Sequence, residues 1–268
     1  MSVGKDDAFR ETYAELYDRH LVPMLFAPYA RTLADRVKAL HPGAVLETAA
    51  GTGIATQELA KVLPADVQIT ATDLNQPMIE QAKRKPGVEN VEWQQADAMN
   101  LPFPDRVFDL VACQFGVMFF PDKQAAFREA LRVLRPGGRL LFVVWDDWTQ
   151  MPAAPLGIAA DVVAGLLGCD PGALVNPPYY DESTIQTDLR AAGFQHVDID
   201  RINRPATAAS ARDAAVATVH GSLIRTVIET TASGKLNEAT DLVERAIRNK
   251  LGDGQIVGGT TALVILAN

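Results

Sequence analysis

The chain has 268 residues, of which 48% are apolar and 22% charged, the balance of a folded globular protein rather than a disordered or fibrous one. Its formal net charge of −8 argues against general affinity for phosphate backbones, because nucleic-acid binding rests on Lys and Arg contacts to phosphate. No run approaches the ~18 apolar residues of a membrane span, and the polar start from Met1 to Asp7 has no apolar stretch leading to a cleavage site, so the cytoplasm is the expected compartment.

The pattern from Asp7 to Leu40 is helical, with Phe9, Tyr13, Leu16, Tyr17, Leu21, Leu25, Tyr29, Leu33 and Val37 at three- and four-residue steps, and with Pro23 and Pro28 as breaks or kinks. Alternation follows. Strands are expected at 45–48, 67–72, 91–95, 108–113 and 139–145, and helices at 56–63, 77–83 and 123–134; the turn Arg135-Pro136-Gly137-Gly138 precedes the fifth strand. Such alternation gives an α/β fold, a mostly parallel sheet with helices on both faces. A first insertion, 151–180, holds a short amphipathic helix through Ile158, Val162, Val163, Leu166 and Leu167. Ser183 and Gln186 form a capping-box pattern for the next helix, which buries Ile185 and Leu189 and ends at Gly193. A strand at 196–202, a second insertion at 208–251 with helices around 216–227 and 236–250, and an apolar strand at 260–267 complete the chain.

Cys113 and Cys169 lack CxxC spacing and read as reduced thiols, and the four histidines, His20, His41, His196 and His220, lack the close spacing of a metal site, so no metal is expected. The chemistry concentrates elsewhere. From Val45 to Thr56 an apolar strand runs into the small-residue turn Ala49-Ala50-Gly51-Thr52-Gly53 and then directly into a helix, the arrangement that lets a ligand lie against amides at a helix start. Twenty residues past Gly53, a second strand ends at Asp73, where a carboxylate is positioned for ribose hydroxyls or for capping the helix that follows. A dinucleotide fingerprint requires a third glycine where this chain has Thr56, which moves the reading away from NAD.

Glu47 through Gly53 resembles the first motif of the class I S-adenosylmethionine-dependent methyltransferases, an acidic residue before a Gly-x-Gly turn, with Ala49 standing where the family usually has its first glycine. The resemblance implies S-adenosylmethionine as cofactor. It implies that Ala49, Gly51 and Gly53 line the methionine and ribose end and that Glu47 lies beneath the turn. It also implies that Asp73 holds the ribose, that Leu74 and Met78 pack on adenine, and that Asp97 accepts from the adenine amine while the backbone of Ala98 or Met99 meets a ring nitrogen. Asp97 alone is equally a loop residue bonding its own backbone. Gln114 and Phe115 end the fourth strand where the family places groups facing cofactor and substrate, and core packing is the rival role for Phe115. The run Leu134 to Leu140 matches a structural signature of the family.

Within that superfamily the chain looks most like the small-molecule methyltransferases related to those of ubiquinone and menaquinone synthesis, and Tyr17 through Ala30 resembles that group as well. The implied fold is a Rossmann-like sheet of seven strands with an antiparallel last strand, in one methyltransferase domain. Residues 1–40 form a helical cap, 41–148 the cofactor core, and 149–180 and 206–255 helical insertions over the substrate site. The expected activity is methyl transfer to a small, partly apolar molecule at O, C or N; the alternatives are a non-catalytic S-adenosylmethionine-binding regulator and an NAD(P)-dependent oxidoreductase. Tyr17, His20 and Phe115 are expected to face the substrate. No catalytic residue is assigned, since His20, Asp146 and Asp147, the available bases, also suit surface or capping positions. No nucleic-acid partner is expected, and the chain is a monomer or homodimer.

Overall fold

The computed structural model describes residues 13–175 and 177–268; the helical pattern at 7–12 and the polar start lie outside the described residues. Seven strands form one sheet in the order β3-β2-β1-β4-β5-β7-β6. The parallel strands are β1 (Ala44–Glu47), β2 (Gln68–Asp73), β3 (Glu92–Gln95), β4 (Phe108–Gln114) and β5 (Leu134–Trp145). Strand β7 (Ile256–Ala267) runs antiparallel to both β5 and β6 (Val197–Ala208), as the family resemblance implies. The central strands β1, β4 and the second half of β5, Leu140 to Trp145, are mostly apolar and buried because helices cover both faces of the sheet.

Helices α3 (Ile54–Val62), α4 (Gln76–Ala82), α5 (Lys123–Val133) and α7 (Glu182–Ala192) fill the connections between strands. The N-terminal segment is one continuous helical path made of α1 (Tyr13–Leu16), a π-helical stretch (Tyr17–Phe26) and α2 (Ala27–Ala39). Pro23 lies inside the π-helical stretch, where wider winding takes up a ring that has no N–H to donate. Pro28 sits in the first turn of α2, a position that needs no donor, so it does not break the path.

The structure departs from four local expectations. The run Arg135 to Gly138 is not a separate turn: β5 starts at Leu134, and the pairing with β4 slips between Phe108 and Leu110, so these residues bulge within the strand. Helix α7 is capped by Asp181, whose carboxylate accepts from Thr184 N–H at 2.7 Å; Ser183 lies within the helix and bonds the same carboxylate. The helix expected at 216–227 is two, α8 (Ala211–His220) and α9 (Leu223–Thr231), because Gly221 ends the first and the Ser222 hydroxyl accepts from Ile224 N–H to start the second. The sixth and seventh strands also extend beyond the expected ranges, to twelve residues each.

Helix α6 (Pro155–Leu167), from the first insertion, packs on α8 and on α10 (Leu236–Leu251), and α8 packs on the π-helical stretch. The N-terminal segment and both insertions therefore meet in one helical layer.

Candidate functional site

The ends of β1, β2 and β4 open onto a cavity of about 400 Å³, within the size range of small-molecule sites. Its floor is the turn after β1. Gly53 has φ +78°, and a Cβ there would lie 2.8 Å from Ala82 Cβ and 2.9 Å from the Trp93 ring, so only glycine lets α3 start so close to α4 and β3. Gly53 thus shapes the turn without lining the cavity, whereas Ala49 and Gly51 do line it. Ala49 itself holds a left-handed conformation, φ +51°.

Asp73, 7% exposed, ties the two strand ends together. Its Oδ2 accepts from Gly51 N–H at 2.8 Å, and its Oδ1 accepts from Asn75 N–H at 2.8 Å. The first residue of the α4 boundary is Asn75, so Asp73 shapes the loop two residues on and does not cap α4. Each carboxylate oxygen retains acceptor capacity toward the cavity.

Glu47 is fully buried and lies beneath the turn, outside the cavity lining. Thr56, the residue that stands where a dinucleotide fingerprint has its third glycine, donates its hydroxyl to Glu47 Oε2. Burial pushes the Glu47 carboxyl up to about 8, against the lowering effect of the Thr56 hydrogen bond and with a smaller upward push from Asp73. A threonine that fastens the helix start to a buried acid has a structural use for its side chain that a dinucleotide turn does not share.

After β3, Asp97 Oδ1 accepts from Met99 N–H at 2.9 Å, and the Asp97 carbonyl accepts from Asn100 N–H. Met99 N–H is therefore engaged inside the loop. Ala98 N–H makes no hydrogen bond to the described residues, so it is an amide of this corner open to a ligand. Leu74, 61% exposed, and Met78 line the same end of the cavity with Asp97, Ala98 and Met99.

At the other end, Gln114 donates its amide to the Phe26 carbonyl at 3.3 Å, while its buried Oε1 has no partner among the described residues. A buried acceptor beside a cavity calls for a donor from the ligand. Phe115 lines the cavity and also packs in the core: it stacks on Trp145 with centroids 3.9 Å apart and meets Tyr29 edge-on. Its φ of +56° is a second left-handed non-glycine position at the cavity.

Tyr17, Leu21 and Phe26 from the N-terminal segment, Leu156 from α6 and Leu223 from α9 close the apolar side, together with Phe119 and Phe120. Burial raises the Tyr17 phenol well above its ordinary range, so it is a hydroxyl donor and not a base. His20 is not part of the lining; it is half-buried and close enough to α8 for its charge to bear on His220. Asp146 pairs with Arg201 at 2.6 Å and Asp147 caps the turn at 148–150; both line a separate open groove with Arg201 and Thr261, away from the glycine turn.

Residues 46–142 match a family described as a methyltransferase domain. The chain is 32% identical over 171 residues to the ubiquinone/menaquinone biosynthesis C-methyltransferase UbiE of Escherichia coli O1:K1, an alignment covering 58% of this chain and 67% of that one. The same protein of Cronobacter sakazakii aligns over 174 residues at 32% identity, with the same coverage. Among solved structures, the YcgJ protein of Bacillus subtilis superposes with a TM-score of 0.57 at 22% identity, covering 90% of this chain and 97% of that one. The [4+2]-cyclase SpnF superposes with a TM-score of 0.58 at 21% identity, covering 90% and 81%. Structural likeness at these identities establishes the fold alone, and a cyclase among the neighbours illustrates why.

Fold, family match and sequence relatives together define a Rossmann-like methyltransferase. The chain belongs to the class I S-adenosylmethionine-dependent methyltransferases, with S-adenosylmethionine as its cofactor and a small molecule as its substrate. No described helix is long and apolar enough to cross a membrane.

Proposed function

We propose that this enzyme methylates a small, partly apolar acceptor at an oxygen, carbon or nitrogen atom, with the cofactor lying along the ends of β1, β2 and β4. The reading is carried by one observation: Asp73 is bonded to Gly51 N–H at the floor of the cavity that Asp97 and Gln114 line. In this assignment Asp73 accepts from the ribose hydroxyls and Asp97 Oδ2 from the adenine amine. Ala98 N–H donates to a ring nitrogen, and Leu74 and Met78 cover the base. Gln114 Oε1 accepts from the methionine ammonium, which supplies the missing donor. Glu47 and Gly53 act from behind, by holding the turn.

S-Adenosylmethionine supplies an electrophilic methyl group on a sulfonium. The chain's part is alignment and exclusion of water, the two needs of an in-line displacement. Phe115, fixed by its stack on Trp145, and Phe119, Phe120, Leu156 and Leu223 form the acceptor wall, with Tyr17 as a neutral hydroxyl donor. Among the described residues, the titratable side chains of the lining are Tyr13, Tyr17, Asp73 and Asp97. The two aspartates belong to the nucleoside half and the raised tyrosines stay protonated, so acceptors that ionise by themselves are favoured.

The test is transfer of isotopically labelled methyl from S-adenosylmethionine to a panel of phenols, quinols, thiols and amines. Labelled product with an aromatic or otherwise apolar acceptor supports the reading. Tight cofactor binding with no transfer to any acceptor class would favour a non-catalytic binding protein instead.

A further inference from the structure

Asp18 lies one residue beyond Tyr17 on the π-helical stretch and faces away from the acceptor wall, yet its carboxylate gathers donors from three places. Oδ1 accepts the Thr52 hydroxyl at 2.8 Å and pairs with the Lys85 ammonium; Oδ2 accepts the Gln81 amide at 3.3 Å. The Asp18 and Lys85 side chains are only 15% and 13% exposed. An ion pair withdrawn so far from water is favourable only in a narrow geometry with its other valences satisfied, so it defines one seating rather than a range of them. Arg84, next to Lys85, reaches Glu15 on α1 at 3.3 Å and adds a second tie between the same two segments.

Thr52 stands between Gly51 and Gly53, and Gly51 N–H is the group bonded to Asp73. A continuous path therefore links the roof of the cavity to its floor: Tyr17 adjoins Asp18, Asp18 bonds Thr52, and the next residue back along the turn bonds Asp73. Tyr13, Tyr17, Leu21 and Phe26 roof the cavity from the segment that this tie holds down.

We propose that Asp18, with Lys85, is a positioning residue for cofactor binding: it seats the N-terminal segment on the glycine turn and so sets how long the cofactor stays. This inference rests on the placement of the cofactor argued above. Because Asp18 does not line the cavity, its loss leaves the ligand's own contacts in place and acts on the roof. Release becomes faster while association changes little, because the roof holds a ligand already bound and its loosening does not hinder the encounter.

The experiment is stopped-flow measurement of S-adenosylhomocysteine association and dissociation by intrinsic fluorescence, with wild type, Asp18→Ala, Lys85→Met and Asp73→Ala, each with a melting curve of the ligand-free protein. Dissociation at least about tenfold faster in Asp18→Ala and faster than wild type in Lys85→Met, with association within about threefold of wild type, is the expected result. If Asp18→Ala does not fold, Lys85→Met carries the same test. Wild-type dissociation rates in the folded variants would overturn the proposal, and so would a lowered melting temperature with no change in release. Failure of the wild-type protein to bind, or undiminished binding in Asp73→Ala, would instead overturn the cofactor placement.

Discussion

Gly116 leaves the space that the methyl group of Ala49 fills: a Cβ at position 116 would lie 2.4 Å from Ala49 Cβ and 2.8 Å from Cys113 Sγ. Ala49 holds a left-handed backbone, φ +51°, that costs an alanine roughly 1–2 kcal/mol. The family resemblance puts glycine there, and this chain keeps the backbone shape while adding a side chain that a glycine on the facing loop accommodates.

Gly116→Ala should overpack this contact, destabilising the protein by about 1–3 kcal/mol and weakening cofactor binding through the displaced turn. Adding Ala49→Gly should restore part of both losses, since it removes one of the two colliding groups. Chemical denaturation and ligand titration of the two single variants and the double variant form the cycle that measures this coupling. Simple additivity would show that the two positions do not meet.

Asp97 has one oxygen engaged with Met99 N–H and the other assigned to the adenine amine. S-Inosylhomocysteine, which carries a carbonyl in place of that amine, should bind more weakly than S-adenosylhomocysteine by about 1.5–3 kcal/mol or more, because the carboxylate loses a donor and faces an acceptor. Asp97→Ala should narrow the difference between the two ligands. Calorimetric titration of both ligands against both proteins checks it.

Glu47 gives a pH dependence of defined sign. Its ordinary value is 4.5 and burial raises it to about 8 in the folded chain. Between these values the folded chain retains a proton that the unfolded chain has released. The stability present below pH 4.5 therefore declines as pH rises toward 8 and levels off above it, by on the order of a few kcal/mol for this group. Glu47→Gln cannot ionise and still offers an acceptor to Thr56. The melting temperature of Glu47→Gln relative to wild type should rise steadily from pH 5 to pH 8, and a constant difference would mean that Glu47 titrates normally.

The sheet was legible because its signals are local. Short runs, apolar at β1, β4 and the second half of β5 and mixed at β2 and β3, mark the parallel strands, and the Gly51–Gly53 turn and Asp73 fall at the strand ends that the fold brings together. The misreadings arise where a neighbouring element decides. Pro23 reads as a break or a kink, and the path stays helical there only by winding wider, where the π-helical stretch packs against α8. Arg135 to Gly138 reads as a turn, but Asp109 on β4 holds Arg135 at 2.7 Å and the segment bulges within β5. Asp181 and Ser183 are both capping residues by type, and only the backbone geometry selects Asp181. At the site, His20 is a titratable residue on an amphipathic helix, and its sequence cannot say which face meets α8. The Asp18–Thr52 bond spans 34 residues and left no periodic trace in the sequence.

Asp73 is the residue on which the cofactor placement depends. Calorimetric titration with S-adenosylhomocysteine of wild type, Asp73→Asn and Asp73→Ala, each shown to be folded by its melting curve, tests it most directly. Micromolar binding by wild type is expected, with losses of roughly 1.5–3 kcal/mol for each charge-assisted bond removed and therefore a larger loss in Asp73→Ala than in Asp73→Asn. Equal affinity in all three proteins would contradict the account and move the cofactor away from the ends of β1 and β2.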